Sequence, residues 1–99
     1  MSEHPLKVFE KLDPELLRTV NESEEFTFTD GALPKKFKLL IAMVLDTSLG
    51  SVEGVKVLAG RAMEAGATKE EIGEAIRVAR LVCGVSTVHV AARGLKELF

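Results

Sequence analysis

From Pro34 onward apolar and polar positions recur with a helical period, and the breaks fall at glycine, proline and hydroxyl residues. Phe37 and the run Leu39 to Leu45 are apolar nearly all round, which predicts a central helix covered by other helices or by a partner subunit. Thr47, Ser48, Gly50 and Ser51 interrupt the run, and any of the hydroxyls is placed to cap the next helix. Val52, Val55, Leu58, Ala59, Ala62 and Met63 then recur at helical spacing until Gly66, a typical left-handed terminator. Thr68-Lys69-Glu70-Glu71 has the spacing of a capping box and is the clearest helix start in the chain. Ile72, Ala75, Ile76, Ala79 and Val82 or Cys83 form the expected inner stripe of that helix, and Gly84 ends it. Ser86 is placed to cap a last helix with Val88, Ala91, Ala92, Leu95 and Leu98 or Phe99 inward and His89, Arg93 and Lys96 on the opposite side.

The first third is less regular. Pro5 to Leu12 reads as a short helix with Leu6, Phe9 and Leu12 on one face. Asp13-Pro14-Glu15 supplies a cap, a first-turn proline and an acid at the positive helix end, starting a second helix that runs to about Glu22. Phe26 and Phe28 alternate with Thr27 and Thr29, which predicts an extended linker pinning two aromatics onto the core. Asp30 to Pro34 is a turn into the central helix. The expected architecture is all-α, an antiparallel bundle of about five to six helices forming one domain over 1–99, with N-terminal helices and linker in 1–33 and core hairpins in 34–99.

Composition sharpens this reading. The chain has 99 residues, 46 % of them apolar, and no Trp or Tyr, so aliphatic side chains and Ala fill the core, which suits close-packed helices. A chain this short cannot hide that much apolar surface alone, so part of it is expected at contacts between copies. Net charge is −2, unevenly spread: residues 1–30 carry eight acids and three bases, residues 31–99 seven acids and ten bases. That asymmetry argues for the acidic N-terminal segment lying against the basic remainder. The one basic cluster, Lys35, Lys36 and Lys38, reads as a solvated first turn rather than a nucleic-acid surface. No secretory leader and no apolar run approaching a membrane span is evident, and a single cysteine fits a reducing compartment, so a cytoplasmic protein is expected.

The stretch Gly66-Ala67-Thr68-Lys69-Glu70-Glu71-Ile72, followed by Glu74-Ala75, Gly84 and an Ala-rich terminal helix, resembles the carboxymuconolactone decarboxylase and alkylhydroperoxidase-D-like family over roughly residues 34–99. The resemblance implies an all-α fold whose helical hairpin assembles into dimers, trimers or hexamers. In the redox members a Glu-x-x-Cys-x-x-Cys-x-x-x-His pattern precedes this signature, with the thiolate favoured by a helix start. Ungapped counting back from Gly66 places the Glu at Ser48, the cysteines at Ser51 and Gly54, and the His at Leu58. All four are substituted. The decarboxylases that the chain also resembles place a histidine at the Leu58 position.

Other residues carry candidate chemistry. Asp46, the only acid of the central helix, is a potential acid or base, with a helix cap as its plainer reading. Ser48 and Ser51 are positioned to donate to a small ligand at the next helix N-terminus, or simply to cap it. His89 has an unperturbed pKa suited to an acid–base pair with Asp46 across the bundle, and a surface histidine is the alternative. Cys83 is expected as a core thiol, with one-cysteine peroxide chemistry as its alternative. His4 is expected at the surface or disordered. No Cys or His pair has ligand spacing, so neither a metal nor another cofactor is called for. The expected function is a homo-oligomeric family member without the dithiol site, binding a small molecule or partner. The rivals are a non-redox lyase or hydrolase using Asp46 and His89 on a small carboxylated or lactone substrate, and residual peroxidase activity through Cys83.

Overall fold

The computed structural model describes residues 6–99. Among the described residues six helices follow one another: α1 (Phe9–Leu12), α2 (Pro14–Thr27), α3 (Lys35–Leu49), α4 (Val52–Glu64), α5 (Lys69–Cys83) and α6 (Ser86–Leu95). Among the described residues there is no strand. The proposed helix start at Pro5, and His4, lie outside the described residues.

Local signals explain most boundaries. Asp13 accepts a hydrogen bond from the Leu16 amide at 3.1 Å with Pro14 just inside the helix, so α2 begins where the pattern placed it. Gly50 ends α3 at φ 80, with its amide bonded to the Thr47 carbonyl and the Ser51 amide to the Asp46 carbonyl at 2.9 Å. Gly66 at φ 103 closes α4 in the same way, through Gly66 to Met63 and Ala67 to Ala62. The capping box of α5 is formed: the Glu71 amide donates to Thr68 Oγ1 at 3.1 Å and the Thr68 amide to Glu71 Oε1 at 2.9 Å.

The core is built from α3 to α6. Leu39, Leu40 and Met43 of α3 meet Val55, Ala59 and Ala62 of α4, with Ile72 of α5 and Val90 of α6 closing the cluster. Helix α3 packs most extensively on α4, and α4 crosses α6 where Gly94 lies against Val52 and Val55. The start of α3 is tied to the start of α5 by an ion pair of Lys36 Nζ with Glu71 at 3.0 Å. That pair and the Thr68 amide hold the Glu71 carboxyl below its ordinary pKa, the amide being the larger cause.

Several expectations need correction. The segment around Phe26 is not an extended linker, because α2 continues to Thr27. A lone extended segment leaves its backbone groups unpaired, whereas continuing the helix satisfies them internally. Phe26 is consequently 85 % exposed, and only Phe28 packs against the core. Within the single chain other helices do not cover α3 all round, since Ile41 and Leu45 are 49 % and 57 % exposed, so of the two covers expected for it only a partner subunit is left for these positions. In α5 the inner stripe stops at Ala79, every residue from 80 to 86 is exposed, and Cys83 is therefore not a core thiol. In α6 the buried positions are Thr87, Val90, Ala91 and Gly94, while Val88 and Ala92 face out. Val90 and Leu95 also pack inward, and Gly94, lacking a Cβ, lets α6 come close to Val52 and Val55 of α4. Ser86 makes no cap; instead Thr87 Oγ1 donates to the Gly84 carbonyl at 2.7 Å.

Candidate functional site

The corner between α3 and α4 brings together two of the polar groups singled out in the sequence, Asp46 and Ser51. Gly50 reverses the chain, so the first turn of α4 starts directly beside the last turn of α3. Ser51 is the N-cap of α4, its Oγ accepting from the Gly54 amide at 3.3 Å. Asp46, half-buried, turns its carboxylate over Gly54. A Cβ at position 54 would come within 2.7 Å of both Asp46 Cγ and Ser51 Oγ, and closer still to Asp46 Oδ2. The carboxylate thus fills the space that a side chain at 54 would need, and it sits where free amides and the helix dipole favour negative charge.

The remaining candidates are not brought into that cluster. Ser48 is exposed and its Oγ donates to the Leu45 carbonyl at 2.6 Å, within its own helix. Thr47 is buried and its hydroxyl donates to the Met43 carbonyl at 2.8 Å. Leu58 packs against the hydrophobic core. His89 is exposed on α6, and no hydrogen bond or ion pair joins it to Asp46. Cys83 is exposed in the last turn of α5. Next to the corner, Lys56 of α4 is paired with Glu97 beyond α6. The hydrogen bond between them, and then their charge attraction, raises the Lys56 pKa and lowers that of Glu97. Among the described residues no three His, Cys, Asp or Glu side chains converge as a metal site.

A different concavity lies at the opposite end of α3 and α4. Asp30, Lys35, Lys36, Arg61 and Glu64 line an open cleft there. The Lys36 ammonium lies 4.9 Å from the Phe37 ring centre and the Arg61 guanidinium 5.0 Å from that of Phe28, while Arg61 also approaches Glu24 at 3.6 Å. Reading Lys35, Lys36 and Lys38 as a solvated turn missed this cleft. Nothing in the local pattern could have shown that Arg61, a whole helix later, would return beside them.

The carboxymuconolactone decarboxylase family model matches residues 14–97. The chain belongs to the carboxymuconolactone decarboxylase family. The crystal structure of apo-lpg0406, a carboxymuconolactone decarboxylase family protein from Legionella pneumophila, is similar with a TM-score of 0.86 and 31 % identity, covering 92 % of this chain and 81 % of that one. No curated protein matches this chain. The family match includes α2 as well as the four core helices, a wider span than the 34–99 signature region. Among the described residues no helix is long and apolar enough to cross a membrane.

Proposed function

We propose that this member of the carboxymuconolactone decarboxylase family has given up dithiol chemistry and works as a homo-oligomer that binds a small ligand or partner. The observation that carries this reading is how the α3–α4 corner is occupied. Ser51, at the position of one expected thiol, has its hydroxyl engaged as a helix cap, and Gly54, at the other, has Asp46 over it. An intramolecular disulfide needs two sulfurs on Cα atoms about 4.4–6.8 Å apart. The sole cysteine, Cys83, stands at the far end of another helix. Leu58 has no group with which to relay a proton.

The test is hydroperoxide consumption by the purified full chain with a dithiol donor, run beside Cys83→Ser. Neither protein is expected to sustain turnover. Sustained turnover that disappears in Cys83→Ser would instead establish one-cysteine chemistry and overturn the proposal.

One observation favours the lyase or hydrolase reading: Asp46 and Ser51 meet at a helix N-terminus, where a carboxylate beside a hydroxyl can orient a polar substrate. Within one chain Asp46 lacks the histidine partner this chemistry requires, so the pair would have to be completed by His89 of a second copy. Hydrolysis of small lactones by the wild type, lost in both Asp46→Asn and His89→Gln, is the result that would support it. Absence of such hydrolysis removes it.

A further inference from the structure

At the end of α3 and α4 away from the Asp46 corner, two charges of opposite sign share one cleft without pairing. The cleft holds about 630 Å³, within the roughly 300–1,000 Å³ typical of small-molecule sites. Lys35 and Lys36 at the start of α3 form one wall, and Arg61, Glu64 and Ala65 at the end of α4 form the other. Among the described residues neither the Lys35 ammonium nor the Glu64 carboxylate makes a hydrogen bond or an ion pair. The other charges of the cleft have partners: Lys36 is held by Glu71 at 3.0 Å, and Asp30 Oδ1 accepts from the Lys35 amide at 2.6 Å. Arg61 is only half engaged, since Glu24 stands 3.6 Å away, beyond the ~2.7–2.9 Å of a charge-assisted hydrogen bond.

The backbone repeats this division of sign. In the first turn of α3 the Lys35 amide is bonded to Asp30 and the Phe37 amide to the Pro34 carbonyl, which leaves the Lys36 amide without an acceptor. At the end of α4 the Ala62 and Met63 carbonyls accept from Ala67 and Gly66, whereas those of Glu64 and Ala65 accept from no protein group. The positive end of one helix dipole and the negative end of another therefore border the same space.

That mixture decides the class of ligand. A simple anion would meet Asp30 and Glu64 as well as Lys35 and Arg61, and a simple cation would meet the reverse, so each would be repelled by half of the lining. A molecule carrying both charges satisfies both walls. We propose that the cleft binds a small zwitterion of the α-amino acid class, its carboxylate on Lys35, Arg61 and the Lys36 amide and its ammonium on Glu64 and the free carbonyls at the end of α4. This rests on the small-ligand reading and gives that ligand a class and a place, at the opposite end of α3 and α4 from Asp46 and Ser51.

Amide-resolved nuclear magnetic resonance on the full chain tests the assignment with glycine, acetate and methylammonium at equal concentration. Acetate and methylammonium each carry one of glycine's two charges. Glycine should shift the Lys36 and Gly66 amide signals saturably, with a dissociation constant of about 1–10 mM, while each single-charge probe gives only small, linear shifts. Lys35→Gln and Glu64→Gln, at exposed positions and with spectra that also report the fold, should each weaken glycine by about tenfold, the loss of one charge-assisted hydrogen bond. Acetate or methylammonium saturating as well as glycine would reduce the cleft to a site for one charge and overturn the zwitterion. Saturable glycine shifts confined to Ser51 and Gly54 would overturn the cleft and keep the small-ligand reading. No saturable shift, or glycine binding unchanged in both variants, overturns the cleft as well, and the loss of dithiol chemistry stands apart because hydroperoxide consumption reads it separately.

Discussion

Replacing Gly94 by alanine tests the close packing of α6 on α4. At that position a Cβ would lie 2.8 Å from the Val52 carbonyl oxygen and 2.9 Å from Val55 Cβ and Cγ1. Carbon atoms pack best at about 3.5–4.0 Å, so α6 would have to retreat by roughly half an ångström or more. Backbone oxygen and a β-branched side chain at 0 % exposure have little freedom to yield. Overpacking of this kind costs about 1–3 kcal/mol, while alanine's better helix propensity returns about 0.8–1.0 kcal/mol. Gly73, on the exposed side of α5, supplies the control, since a Cβ there meets nothing within 4 Å. Gly73→Ala should therefore stabilise by the propensity term alone, and the gap between the two variants isolates the steric cost, about 1–3 kcal/mol. Urea unfolding followed by far-UV circular dichroism reads both at one fixed protein concentration, because association shifts apparent stability. In a thermal scan each kcal/mol corresponds to about 4–8 °C for a domain of this size. If Gly94→Ala stabilised the protein as much as Gly73→Ala, the close approach of α6 to α4 described above would be wrong.

Three further outcomes are expected. Thr68→Ala removes the cap of α5 and should lower stability by about 1 kcal/mol, with the loss visible as faster hydrogen exchange of the Glu71 amide. The carboxyl of Glu71 is held below the ordinary value of 4.5 by the Thr68 amide and then by Lys36, so its contribution is complete above that value and lost as pH falls through the folded pKa; Glu71→Gln should flatten the acid limb of a stability–pH curve without altering its alkaline limb. Gly54→Ala should push the Asp46 carboxylate out of the corner, and a double-mutant cycle with Asp46→Ala should show coupling of about 1 kcal/mol, whereas simple additivity would mean that the carboxylate does not occupy that space.

Much of the fold was legible because its signals are local. Caps and terminators act within four or five residues, so Asp13, Gly50, Gly66 and the Thr68–Glu71 box marked helix ends that the structure keeps. The site was legible only in part. Asp46 and Ser51 meet because only four residues separate them, the last a left-handed glycine, a distance that local geometry governs. Arg61 reaches the cleft beside Lys35 and Lys36 only through the packing of α4 along α3, and no local rule carries that information. Cys83 shows the same limit, since its spacing from Ile72 and Ala79 is that of a core position, but the bundle does not extend far enough to cover it.

By itself the sequence determined the starts of α2 and α5 and the glycine-marked ends of α3, α4 and α5, that one cysteine is present, and that acid and base are segregated along the chain, because these depend on residue identity and short-range backbone chemistry. Tertiary structure alone decided which face of α6 turns inward and how far the cover of α3 and α5 extends. The reason is physical: burial is a property of what neighbouring helices leave open, and the close approach at Gly94 brings Val90, Ala91 and Leu95 onto the core and leaves Val88 and Ala92 outside.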